Sequence, residues 1–204
     1  MTTRRIACLM GTLAAWPLLT GFIWPQFFDL SWDEEVQLHD GRVIVVHLKF
    51  TYERLSRLSK YERAIMRNTE MSFDAGPPYG RVTQLFIHQR PMLLDEQDGR
   101  WFVLLQGRAG KSVQDWGMDQ NGHAQRTAAL DSRGFHPIPL GDLPLGISKP
   151  NMLVDYAPIN VLTQFDGSLI TIEKKKVYLE QYPLGPADRV IYRPHVQSTT
   201  QTSR

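Results

Sequence analysis

The chain has 204 residues, a formal charge of +2 from 23 basic and 21 acidic side chains, and one cysteine. A single thiol, Cys8, inside an N-terminal apolar run excludes disulfide frameworks, zinc–thiolate sites and cysteine nucleophiles from everything that follows. Setting aside Arg4 and Arg5 brings the charge from residue 6 onward to zero, so no electrostatic field recommends a nucleic-acid partner.

The first predicted element is membrane-directed. Ile6 to Trp24 carries no charge, and at roughly 1.5 Å per residue such a run just crosses a hydrocarbon core of about 30 Å. Arg4 and Arg5 precede it and Asp29, Asp33, Glu34 and Glu35 follow, so the positive-inside rule keeps the N-terminus cytoplasmic. Pro17 is tolerable in a membrane helix, and Trp24 stands where an interfacial aromatic belongs. Cleavage requires a small-x-small site, and none occurs near Phe22 to Gln26. Lipidation requires a cysteine after Leu19-Thr20-Gly21, where Phe22 stands instead. The expectation is an uncleaved signal anchor over residues 1–28 that contacts the bacterial inner membrane through residues 6–24. A periplasmic β-rich domain over 29–196 and a polar, disordered tail over 197–204 follow. Cleavage and release into the periplasm is the alternative.

Three Asp-Gly pairs then punctuate the chain. "WDEEVQLHDGRVIVVHLKF", residues 32–50, reads as a hairpin about Asp40-Gly41, because Asp-Gly supplies the positive φ angles of a two-residue type I′ turn. That turn sets Leu38 against Val43, Val36 against Val45 and Glu34 against His47, with the apolar return strand central. "YERLSRLSKYERAIMRNTE" carries Leu55, Leu58, Ile65 and Met66 near helical spacing, and predicts a short helix near 54–67. Strands are expected at 69–73 and 82–88. A hairpin at Asp98-Gly99 sets Leu94 against Val103, Leu93 against Leu104 and Met92 against Leu105. Residues 135–150, rich in Gly and Pro, read as a long surface connection. A third hairpin is expected at Asp166-Gly167, with Thr163 against Ile170, and further strands at 177–182 and 189–192. The fold class is therefore mainly β, antiparallel hairpins or a meander forming a sandwich- or barrel-like domain.

The chemistry-bearing patterns fall short of their motifs. "GRAGKS", Gly107 to Ser112, lacks the leading glycine of a phosphate loop, since Leu105 stands there. "DQNGH", Asp119 to His123, has neither the first carboxylate nor the closing Glu of a calcium loop. His39, His47, His88, His123, His136 and His195 show no ligand spacing. Asp33, Glu34 and Glu35 alternate faces along a strand, which suits a charged membrane-proximal edge and not a catalytic carboxylate pair. "EKKK", Glu173 to Lys176, reads as a solvated strand face, and no G-x-S-x-G elbow is present. No catalytic, cofactor-binding or metal residue is assigned.

"WDEEVQLHDGRVIVV", "PMLLDEQDGRWFVL" and "LITIEKKKVY" together resemble a group of uncharacterised exported bacterial proteins that open with a Trp-x-Glu-Glu-Val…Asp-Gly-Arg strand pair. The resemblance covers residues 31–106 and, more loosely, 150–180, and rests on Trp32, Glu34, Glu35, Val36, Asp40, Gly41 and Arg42. Some members look like lipoproteins; here Phe22 replaces the lipidated cysteine, and residues 51–70 depart from the pattern. The resemblance implies export and β structure, and no activity. The expected function is a single-pass envelope protein whose β-domain is a binding or assembly module. Its candidate partner is another envelope protein, met through Trp32, Tyr79, Trp101 and Trp116. The alternative is an exported hydrolase or carbohydrate-active enzyme assembled from distant Asp, Glu and His residues.

Overall fold

The structure, a computed structural model, describes residues 26–54, 64–107, 117–118, 124–153 and 159–182. Two five-stranded sheets share one apolar core. Sheet A is ordered β10-β1-β2-β3-β4, from β1 (Gln26–Gln37), β2 (Val43–Arg54), β3 (Ala64–Asp74), β4 (Arg81–Ile87) and the short β10 (Leu169–Ile170). Sheet B contains β5 (Gln89–Gln97), β6 (Arg100–Gly107), β8 (Ala124–Asp131) and β7 (Gly117–Met118), with β9 (Gly134–Ile138) also paired to β8. Two α-helices, α1 (Ile159–Leu162) and α2 (Ile172–Gln181), close the described chain.

Sheet A has one buried and one solvated face, the usual antiparallel solution. Leu30, Trp32 and Val36 of β1 lie opposite Phe50, Leu48 and Ile44 of β2 on the inner face. Asp29, Asp33, His47 and Lys49 populate the outer face, where Lys49 pairs with Asp29 at 3.0 Å. Sheet B is buried on both faces. Leu94, Val103, Leu105 and Ala128 face sheet A, whereas Leu93, Phe102, Leu104 and Ala129 pack beneath Leu143 and Ile147. That second cluster explains the unbroken apolar run of β6, which a one-sided strand would not carry. The chain passes from β4 into β5 through one residue, His88, whose φ of 56° turns it between the sheets.

The first hairpin differs from the sequence expectation by one residue. Leu38 N–H donates to Arg42 O at 2.8 Å, leaving a three-residue loop, His39–Gly41, with Gly41 at φ 90°. Asp40 Oδ1 accepts from the Arg42 N–H at 2.9 Å and holds this longer turn. Because strand side chains alternate, the slip exchanges the cross-strand partners. Asp33, not Glu34, faces His47; Glu34 lies inside opposite Val46; and Val43 and Val45 are exposed. The Asp98-Gly99 turn has the expected two-residue form, with φ of 55° and 76°. It pairs Leu94 with Val103 and Leu93 with Leu104, while a bulge puts Pro91 instead of Met92 against Leu105.

Further corrections concern the helices. The helix expected near 54–67 is contradicted at both ends: Arg54 closes β2 and residues 64–67 open β3, with Tyr52 opposite Met66, while 55–63 lie outside the described residues. The strand expected at 177–182, and the strand reading of Glu173–Lys176, are replaced by α2. Asp166-Gly167 is not a hairpin; residues 159–165 are helical and Leu169–Ile170 pair parallel to β1. Residues 135–150 are more than a surface connection: Phe135–Ile138 join β9, and Leu143 and Ile147 are buried over sheet B. Of the proposed anchor 1–28, residues 26–28 belong to β1 and residues 1–25 lie outside the described residues, as do the strand at 189–192 and the tail 197–204. Among the described residues no helix is long and apolar enough to cross a membrane.

Candidate functional site

A buried carboxylate–ammonium pair lies between β1 and α2. Thr171 caps α2, its hydroxyl accepting from the Lys174 N–H at 3.3 Å, and Glu35 accepts from the Ile172 N–H at 3.1 Å. The helix so fixed projects Lys175 onto Glu34, Nζ to Oε1 at 3.0 Å. Lys175 Nζ also donates to Asn151 O at 2.8 Å, and the Leu153 N–H donates to Glu34 Oε1 at 2.6 Å. Glu34 is 0 % exposed. Burial pushes its carboxyl above the ordinary 4.5, outweighing the Lys175 charge and the hydrogen bonds that favour the anion. The Trp32 indole lies near enough to favour the anion but outside hydrogen-bond geometry, so Trp32 Nε1 and Glu34 Oε2 are each buried without a bonded partner among the described residues. Trp32 stacks on Phe50 at 4.6 Å and meets Phe165 edge-on at 6.2 Å, and Phe165 meets Tyr178 of α2 at 5.5 Å. These rings belong to the core that buries the pair.

Asn151 joins three parts of the fold. Its carboxamide accepts from the Leu94 N–H at 3.0 Å and donates to Leu94 O at 2.8 Å and Gln37 O at 3.0 Å. With its own carbonyl on Lys175, it ties sheet A, sheet B and α2 together. A second tie lies at the hairpin tips. His39 Nδ1 sits 2.9 Å from Asp95 Oδ1, the His39 N–H donates to Asp95 Oδ2 at 3.0 Å, and Arg42 bonds both Asp40 and Glu96. The Asp95 carboxylate raises the His39 imidazole above its ordinary 6.5. These groups are arranged to hold two sheets in register.

A third feature is an open groove of about 270 Å³ beside β4. Gln84–Ile87 form one wall, and Leu105, Arg126, Ala128, Phe135 and Pro137 lie across the floor. The lining thus draws on β6, β8 and β9 of sheet B as well as on β4. The volume lies below the range of about 300–1,000 Å³ common for small-molecule pockets.

The residues singled out by sequence are dispersed. His47 pairs with Asp33 at 2.8 Å on the outer face, His88 marks the β4–β5 junction, and His136 of β9 lies 3.3 Å from Asp131 of β8. His123, His195, Trp116, the Asp119–His123 segment and all of Gly107–Ser112 beyond Gly107 lie outside the described residues. Trp32 and Trp101 do not offer a contact surface: both are buried, Trp101 with its indole N–H on Ala75 O at 3.1 Å, and Tyr79 packs partly buried against the core. Among the described residues no group of three or more His, Cys, Asp or Glu is placed to hold a metal. Lys175 and Asn151 were missed by sequence reading. The available signal was helical spacing of Lys175, Tyr178, Leu179 and Tyr182 behind Thr171, a capping residue. No protein-family model, curated protein or solved structure matches the chain.

Proposed function

We propose that the chain is a binding or assembly module of the bacterial envelope, tethered to the inner membrane through residues 6–24, with its β-domain in the periplasm. The observation that carries the binding reading is the open groove beside β4, the last strand of sheet A among the described residues, lined by Leu105, Phe135 and Pro137 together with Gln84 and Arg126. The uncharged run Ile6–Trp24 behind Arg4-Arg5, and a thiol-free remainder, support the address. The competing reading, an exported hydrolase or carbohydrate-active enzyme, is not favoured by the one carboxyl that burial pushes toward protonation. Glu34 lies beneath the surface, where substrate cannot touch it.

A photo-crosslinking side chain at Thr83, exposed on β4, should yield a discrete adduct with an envelope protein in intact cells; the same probe at exposed Arg133 should not. Membrane fractionation with N-terminal sequencing should find the intact N-terminus in the envelope. A full-length product free in the cytosol, or no adduct from either position, would overturn the proposal.

A further inference from the structure

The two ends of the β-domain carry opposite charge. His88, which turns the chain from β4 into β5, donates its N–H to Arg67 O at 2.6 Å, so the start of β5 meets the start of β3. The ladders extend this near end across both sheets. Gln26 lies opposite Arg54 and Arg54 opposite Ala64 in sheet A, while Gln89 lies opposite Gly107 and Gly107 opposite Ala124 in sheet B. Among the described residues, Arg54, Arg67, Arg90 and Arg126 stand here with one acid, Glu53, and a step further in Asp29 and Lys49 pair and cancel. These arginines are engaged inside the domain: Arg67 bonds Glu53, Arg90 bonds Gln106, Arg54 covers Phe28, and Arg126 also has a partner. An internal pair leaves the summed charge of the end unchanged. The segments 55–63, 108–116 and 119–123, whose flanking residues lie at this end, add five basic and three acidic side chains by sequence, so the sum stays positive however they pair.

At the far end the balance reverses. The tips 38–43, 74–81, 95–100 and 131–134 hold six acidic and four basic residues, and the His39–Asp95 tie brings the first tip against the third. The near end is also where the chain enters the domain. Only Pro25 separates Trp24, the last residue of the uncharged run, from Gln26 of β1. Two residues span at most about 7 Å, less than the Debye length of about 8 Å at physiological ionic strength. Phe27 and Ile87, 56 % and 60 % exposed, lie at the same end.

We propose that the near end of the β-domain is a lipid-facing surface, and that its partner is the anionic phosphate layer of the bilayer in which residues 6–24 sit. The inference rests on the tethered reading above and adds a second contact to the tether. The basic end is drawn to lipid phosphates, and Phe27 and Ile87 enter the boundary between headgroups and acyl chains. The acidic tips then point away from the membrane, so the domain stands on end. An anionic surface attracts each nearby basic residue enough to favour docking by roughly fivefold. An acidic protein competing for the same end would have to displace a bilayer already held two residues away.

The test uses the full-length chain in lipid nanodiscs, with Cys8→Ser removing the native thiol. A single dye is attached through Leu85→Cys, one pair of residues above the contact, or through Arg133→Cys at the far end, and a quencher is carried on the lipid headgroups. In discs containing phosphatidylglycerol the dye at position 85 should be quenched and the dye at 133 should not. In pure phosphatidylcholine, or at about 1 M salt, where the Debye length falls to about 3 Å, quenching at 85 should drop. Gln89→Glu should lower the ratio of docked to lifted domain by roughly fivefold and Gln89→Lys should raise it by roughly as much. Opposite shifts from one position cannot come from a misfolded variant. Quenching at 85 that ignores lipid charge and salt, Gln89 variants that shift together, or stronger quenching at 133 than at 85 would each overturn the surface while leaving the tether standing. A chain that washes out of cell membranes in alkaline carbonate would instead remove the tether, and this surface with it.

Discussion

Lys175→Met removes the cation from a pair whose carboxylate is 0 % exposed and whose lysine is 8 % exposed. Breaking one side of a buried pair usually destabilises by about 3–5 kcal/mol, because the remaining charge has lost its compensation. Glu34 has a cheaper escape. Protonating a carboxyl of ordinary value 4.5 at pH 7 costs about 3 kcal/mol, at roughly 1.4 kcal/mol per pH unit. Burial already raises Glu34 in the wild type, so the variant loses less than that by this route. The lost bond to Asn151 O adds about 1 kcal/mol. The expected loss is about 2–3 kcal/mol at pH 7, below the general range because Glu34 can take up a proton. Its pH dependence has a definite sign. A carboxyl raised in the folded state binds more protons there than in the unfolded chain, so its stabilising contribution is full below 4.5 and declines as pH rises through the folded value. In Lys175→Met that folded value moves higher, so the deficit against wild type shrinks to about 1 kcal/mol near pH 5. Urea unfolding between pH 5 and 8, followed by the fluorescence of buried Trp32 and Trp101, measures it. A deficit that is flat with pH, or below about 1 kcal/mol at pH 7, would mean that Glu34 is hydrated and the reasoning fails. Adding Glu34→Leu to Lys175→Met should recover most of the loss, since an apolar pair of similar volume tolerates that site.

Asn151→Ala leaves the two Leu94 backbone groups and Gln37 O without their partner and should cost about 2–3 kcal/mol in urea unfolding. Asn151→Asp should be worse than Ala near neutral pH, because a carboxylate then faces two carbonyl oxygens; a milder effect would contradict the assigned amide orientation. The His39 imidazole should titrate above 6.5 by NMR and return toward it in Asp95→Asn. Since His39 is raised in the folded state, its stabilising contribution is present below 6.5 and lost as pH rises through the folded value, and His39→Gln should remove that slope. Gly99→Ala places a side chain at φ 76° and should lower stability by about 1 kcal/mol, read as a shift in urea midpoint.

What the sequence determined by itself was local and periodic. The Asp98-Gly99 turn carried its register because two positive φ angles in succession define a two-residue loop. At Asp40-Gly41 the same dipeptide misled, because Asp40 bonds the Arg42 N–H and lengthens the loop by one residue. A one-residue slip turns every β2 side chain to the other face relative to β1, so Val43 and Val45 moved out to solvent and Val46 came inside opposite Glu34. Residues 64–67 became strand because β2 offered Tyr52 and Glu53 as partners, which outweighed a weak helical spacing. Residues 172–181 became helix because Thr171 and Glu35 cap the first turn and Glu34 receives Lys175. The Glu34–Lys175–Asn151 node joins positions more than a hundred residues apart, and the groove beside β4 is lined by residues of both sheets. Turn chemistry and alternation are written within a few neighbouring residues, whereas burial and ion pairing depend on which distant strand or helix arrives alongside, and that is decided only when the two sheets pack.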